Sequence, residues 1–136
     1  MKIVAFVLLS FALLNASPVS EGNKFFANGD YGKALESYLS ARKENPAEPA
    51  LFYNIGTCQY MLGNYEDAIK ELEPAVRFPD SSLAAKAAYN LANAYFRSGE
   101  KAESATKIEA WRQSIAYLKK AIELVPNYEK AKKNIE

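Results

Sequence analysis

Small, aromatic and polar positions recur along this chain at fixed offsets. In GDYGKALESYLSARKENP (29–46) and GNYEDAIKELEPAVRFPD (63–80), Gly29 and Gly63, Tyr31 and Tyr65, Ala34 and Ala68, and Ala41 and Ala75 each stand 34 residues apart. Gly22 and Gly56 keep the same step. A third copy opens with AAYNLANAYFRSG (87–99) beside LFYNIGTCQYMLG (51–63), where Tyr53 and Tyr89, Asn54 and Asn90, and Gly63 and Gly99 are 36 apart. It closes with WRQSIAYLKKAIELVP (111–126), whose Trp111, Leu118, Ala121 and Pro126 repeat the spacing of Tyr31, Tyr38, Ala41 and Pro46. A period of this length marks stacked supersecondary units, each burying its apolar face against the next.

The predicted elements follow from that period. The fold class is all-α: about three helix-turn-helix units over residues 17–48, 49–84 and 85–126, with a capping helix over 127–136. Ser17 and Pro18 suit the N-cap and first position of the opening helix. Gly29, Gly63 and Gly99 are placed to end the first helix of each unit, where a left-handed residue is favoured. Pro46 and Pro126 stop second helices, and Pro74 is expected to kink one or loosen a turn. Gly22, Gly56 and Ala92 mark close approaches of paired helices, while Tyr31, Tyr65 and Trp111 fill the gaps between them. In the cap, Tyr128, Ala131 and Ile135 share one face, which covers the last unit.

Unit three departs from the period. Gly99 to Trp111 is 12 residues where Gly29 to Tyr31 is 2, an excess of ten. The insert has neither Pro nor Gly, and Ala105, Ile108, Trp111, Ile115, Leu118 and Ile122 continue one helical stripe through it. The second helix of unit three is therefore expected to start near Glu103 and to project by roughly 15 Å. A polar loop over 100–107 is the alternative.

The 34-residue step with this residue set resembles the tetratricopeptide repeat, over essentially the whole chain after the first segment. The resemblance implies a helical solenoid in which first helices line a concave groove. Carried over by position, the groove residues are Asn23 and Phe26, then Tyr53, Asn54, Thr57, Tyr60 and Met61, then Lys86, Tyr89, Asn90, Asn93, Phe96 and Arg97. Amides satisfy the backbone of an extended peptide and aromatics bury its side chains. Some members of the family grip a C-terminal carboxylate with two Lys, two Asn and an Arg. Asn23, Asn54 and Lys86 match that set, but Val19 and Asn90 replace one Lys and the Arg, so a carboxylate clamp is not expected. Arg97, one turn further on, is the candidate to compensate. A narrower similarity, carried by Asn127, Tyr128, Ala131, Lys132 and Asn134 after the extended linker, is to the repeat modules of bacterial Bat (aerotolerance-type) proteins, which accompany von Willebrand-type domains at the inner membrane or in the periplasm.

Charge and composition narrow the chemistry. Among 136 residues, 17 Lys and Arg face 16 Asp and Glu, so no basic excess points to nucleic acid. No histidine is present, which removes the commonest general base and metal ligand. The one cysteine, Cys58, reads as a buried structural thiol. With no nucleophile and base motif and no phosphate loop, the chain is read as non-catalytic, without cofactor or metal. Residues 1–16, MKIVAFVLLSFALLNA, have the layout of a secretory signal peptide, with Lys2, an apolar stretch and Ala16 at the cleavage point. The stretch is shorter than the ~20 residues of a membrane span. The expectation is a periplasmic or secreted module that binds a protein or peptide partner in its groove. Its membrane association would come only through a partner or an uncleaved leader. The alternative is a structural or self-assembly component whose extended third-unit helix mediates homo-oligomerisation or docking.

Overall fold

A computed structural model describes residues 16–135; the leader expected over 1–16 lies, but for Ala16, outside the described residues. Seven helices follow one another: α1 (Pro18–Ala27), α2 (Tyr31–Glu44), α3 (Pro49–Met61), α4 (Tyr65–Ala75), α5 (Ser81–Glu100), α6 (Ser104–Leu124) and α7 (Glu129–Ile135). Among the described residues there is no strand. The helices pair in order, α1 with α2, α3 with α4 and α5 with α6, and successive pairs stack into one array with α7 closing the end.

Local chemistry sets the helix ends. Ser17 Oγ accepts from the Ser20 amide at 3.2 Å and Pro18 occupies the first turn. Asp30 and Asp80 accept from the amides of Lys33 and Leu83 at 3.3 and 3.0 Å. Such caps satisfy amides that lack a partner within the first turn. Gly29 and Gly63 turn the chain at φ +78° and +82°, a conformation that L side chains resist. Their Cβ positions are open, so backbone conformation rather than space selects glycine there.

Gly99 does something else, contrary to the expected helix stop. It is buried inside α5, which runs on to Glu100, and a Cβ there would lie 2.9 Å from the Trp111 ring and 3.0 Å from Ala110. Its missing side chain admits the neighbouring helix. The ten-residue insert thus lengthens both arms of a hairpin. α5 and α6 have 20 and 21 residues, against 13 and 11 for α3 and α4. The turn between them is confined to 101–103, and α6 begins at Ser104 as the stripe predicts, so the loop alternative does not stand. One further expectation is corrected: α5 starts at Ser81, four residues ahead of the boundary drawn at 85, because Asp80 caps it there. Pro74 loosens the last turn of α4: its nitrogen has no hydrogen for the Lys70 carbonyl, and beyond Ala75 the amides of Arg77 and Phe78 reach back only three residues, to the carbonyls of Pro74 and Ala75.

The core has two parts. Ala34, Tyr38, Ala41, Leu51, Ile55 and Cys58 join units one and two. Leu72, Leu91, Leu118 and a set of alanines that includes Ala68, Ala88 and Ala121 join units two and three to the cap. Alanine at these contacts lets helix axes approach closely. Arg42 and Glu71 form a half-buried ion pair at 2.6 Å that ties α2 to α4. Ala131 is buried and Tyr128 packs beneath the cap, but Ile135 is left 39% exposed.

Candidate peptide groove

The groove is built from the faces of α1, α3 and α5. One part of it is a pocket of about 180 Å³ between α1 and α3, lined by Asn23, Phe26, Ala27, Tyr38, Tyr53, Asn54 and Thr57. Five of the predicted groove residues therefore meet at one place. Phe26 is held edge-on against Tyr31 at 5.1 Å, so its ring is fixed before anything binds.

Tyr38, from α2, is a lining residue that the repeat pattern does not supply. It reaches the pocket because Gly22 carries no side chain; a Cβ there would fall 2.6 Å from the Tyr38 ring. The Tyr38 hydroxyl donates to Asn23 Oδ1 at 2.7 Å, which leaves the Asn23 amide hydrogens to point elsewhere. Burial pushes the Tyr38 phenol up to about 12, so it remains a donor at neutral pH. One signal for it lies in the period. Tyr38, Leu72 and Leu118 hold corresponding positions, and only the first carries a hydroxyl.

The other predicted residues are distributed differently. Thr57 Oγ1 donates to the Tyr53 carbonyl at 2.7 Å and accepts from Asn90 Nδ2 at 3.0 Å. Asn90 thereby bridges α5 to α3. Lys86 is exposed at the start of α5. Tyr89 and Asn93 are held by the cap: Asn134 Nδ2 donates to both at 3.3 Å, and Tyr128 packs edge-on against Tyr89. α7 thus occupies part of the unit-three surface that the family resemblance assigns to a ligand. Tyr60, Phe96 and Arg97 lie towards the hairpin end, Tyr60 against Tyr65 and Phe96 stacked on Trp111 at 5.7 Å. Met61 is exposed beside them.

Arg97, the candidate to compensate for the missing clamp residues, is engaged with Tyr65 and Glu100. Its Nε donates to the Tyr65 hydroxyl at 3.4 Å, its Nη1 pairs with Glu100 at 2.8 Å, and the guanidinium lies over the Tyr65 ring. These contacts raise its pKa, the Tyr65 hydrogen bond most of all. Val19 packs with the unit-one core. Lys86 is the one cation that remains among the positions of the carboxylate pattern. Cys58 is fully buried, with its thiol pushed up to about 11 by desolvation. Among the described residues no three metal-ligating side chains converge, and no helix is long and apolar enough to cross a membrane.

Comparison with known proteins matches the geometry. A family profile described as tetratricopeptide repeat matches residues 19–82. The small glutamine-rich tetratricopeptide repeat-containing protein 2 of Mycosarcoma maydis is 31% identical over 116 residues, which are 85% of this chain and 30% of that protein. A thermophilic TPR protein of Thermus thermophilus superposes with a TM-score of 0.76 at 26% identity, over 84% of this chain and 58% of that one. The second TPR domain of human RPAP3, in complex with the HSP70 peptide SGPTIEEVD, gives 0.73 at 22% identity over 88% and 89%. The chain spans between about a tenth and a third of the length of the curated relatives it matches.

Proposed function

We propose that this chain, whose helices form a tetratricopeptide-type solenoid, is a non-catalytic interaction module that holds an extended peptide segment of a partner protein between α1 and α3. One observation carries the reading: the pocket of Asn23, Phe26, Tyr53, Asn54 and Thr57, with Asn23 pre-set by Tyr38. An extended peptide presents unpaired backbone groups and alternating side chains. Asn23 and Asn54 offer amides to the first, and Phe26 and Tyr53 offer rings to the second. These groups sit on packed helices, so little ordering cost falls on binding.

The segment bound is internal or neutral-ended. The RPAP3 domain holds an acid-ended peptide, whereas here Val19 and Asn90 stand at two of the three cation positions and Arg97 is engaged with Glu100. A random dodecapeptide display library panned on the chain supplies the probe. A selected peptide, synthesised as free acid and as C-terminal amide, should bind with affinities within about threefold of each other, and Asn54→Ala should weaken both by about tenfold. A strict requirement for the free carboxylate, or indifference to Asn54→Ala, would count against the reading.

We place this module outside the cytoplasm, in an envelope complex of the Bat type, on the leader-like pattern of residues 1–16 and the tail residues Asn127, Tyr128, Ala131, Lys132 and Asn134. N-terminal sequencing of the protein recovered from cell fractions tests this. A start near Ser17 in the periplasmic or secreted fraction is expected, and an intact Met1 in the cytoplasm would refute it.

A further inference from the structure

The lengthened α5–α6 hairpin exposes an apolar surface that the peptide groove does not use. Ile108, Trp111 and Ile115 run along one face of α6 at 58, 38 and 49% exposure, flanked by Phe96 of α5 and Ile135 of α7. Together they present on the order of 400 Å² of apolar surface, at the upper end of what a monomer normally leaves in water. In a two-fold pair each copy would contribute that patch together with its polar rim. Two such patches supply about half of the roughly 1,600 Å² that a standard specific interface buries, and the polar rims must supply the rest.

The surface carries both a protrusion and a recess. Ile108, one turn before Trp111, stands furthest into solvent. Towards the C-terminal end of the same face lies a recess of about 330 Å³ bounded by Phe96, Trp111, Ile115, Leu118 and Ile135, with Ser114 and Asn134 completing it. A two-fold interface needs such a patch, because the same surface must supply both halves of the contact.

We propose that this face binds a second copy of the chain, with α6 packed antiparallel to its partner's α6 about a two-fold axis near Trp111 and Arg112. In that register Ile108 of each copy enters the recess beside Ile115 of the other. The ends of the stripe also match in charge. Lys119, exposed one turn beyond Ile115, comes opposite the start of the other α6, where Glu103 occupies the N-cap position. The Glu103 carboxylate makes no capping bond with its own helix, so it is directed to no amide of α6. The axis generates that pair twice, and antiparallel helices also oppose their dipoles favourably.

Sedimentation equilibrium of the purified chain from 1 to about 100 µM tests the pairing, with circular dichroism melting as the control for fold. A mass twice that of the single chain from Ser17 onward is expected. Ile108→Glu should make it monomeric while keeping the helical circular dichroism spectrum, and should melt where the unmutated chain melts once diluted to monomer, since Ile108 is mostly exposed. Glu103→Lys and Lys119→Glu should each weaken the dimer about tenfold, and the double swap should restore it. A monomer at every concentration, which would leave the patch to a helix of another protein, overturns the proposal. A dimer indifferent to Ile108→Glu, or a double swap no tighter than the single ones, overturns it equally.

Discussion

Replacing Gly56 by alanine gives the sharpest test of how the units are held together. Alanine in a helix interior is favoured over glycine by about 1 kcal/mol, so propensity alone predicts stabilisation. The packing predicts the reverse. A Cβ at residue 56 would lie 2.6 Å from Leu72 Cγ, 3.0 Å from its Cδ2 and 3.2 Å from Glu71 Cβ. Leu72 is fully buried in the cluster that holds Ala68, Ala75 and Leu91, so it has no solvent side to retreat into. Overpacking of this kind costs about 1–3 kcal/mol. Because α3 and α4 must separate by most of an ångström, the upper half of that range applies. The net expectation is a loss of about 1–2 kcal/mol, seen as a melting temperature lower by roughly 4–8 °C. Gly32→Ala is the control: it also lies in a helix, but nothing is within 4 Å of its Cβ position. It should stabilise the protein by up to about 1 kcal/mol. Urea unfolding of both variants, with Leu72→Ala alone and combined with Gly56→Ala, separates the contributions. Leu72→Ala alone should cost about 2–5 kcal/mol, and the double variant should be more stable than the sum predicts by about 1 kcal/mol. If Gly56→Ala stabilises as Gly32→Ala does, the close-approach argument fails.

Two further expectations concern titration and the pocket. Burial holds Cys58 up to about 11 and Tyr38 up to about 12, from ordinary values of 9.0 and 10.0. The unfolded chain therefore releases these protons first, and stability should fall as pH rises from about 9 to 11. Urea midpoints across that range should show a slope that flattens in Cys58→Ala, and an unchanged slope would contradict it. Tyr38→Phe removes the 2.7 Å hydrogen bond to Asn23 and should cost about 1 kcal/mol of stability. It should also weaken a display-selected peptide several-fold by calorimetry, and an unaltered affinity would show that Asn23 does not need to be positioned.

Much of this architecture can be read from residue spacing. The 34-residue step locates the paired helices, because glycine at 22 and 56 and alanine at 34, 41, 68 and 75 occur where helix axes come close. The stripe from Ala105 to Ile122 locates α6 by its helical period, although Ile108, Trp111 and Ile115 within it are left exposed. Gly99 misleads because one residue type answers two needs. A glycine that turns the chain and one that admits a neighbouring ring look alike until Trp111 is seen against it. Sequence position likewise places Arg97 near the groove, but the direction of its side chain is set by Tyr65 and Glu100, some thirty residues before it and one turn after it. The cap over Tyr89 and Asn93 is equally hidden. Asn134 reaches them across more than forty residues, a pairing that no local pattern announces.

The central claim is that a partner segment lies in the pocket between α1 and α3. A photoreactive phenylalanine placed at Tyr53, and in parallel at the exposed Lys70 of α4, tests it in the cells that make the protein. Ultraviolet illumination should yield a discrete protein adduct from position 53, and none from position 70. An adduct from position 70 with none from position 53 would contradict it.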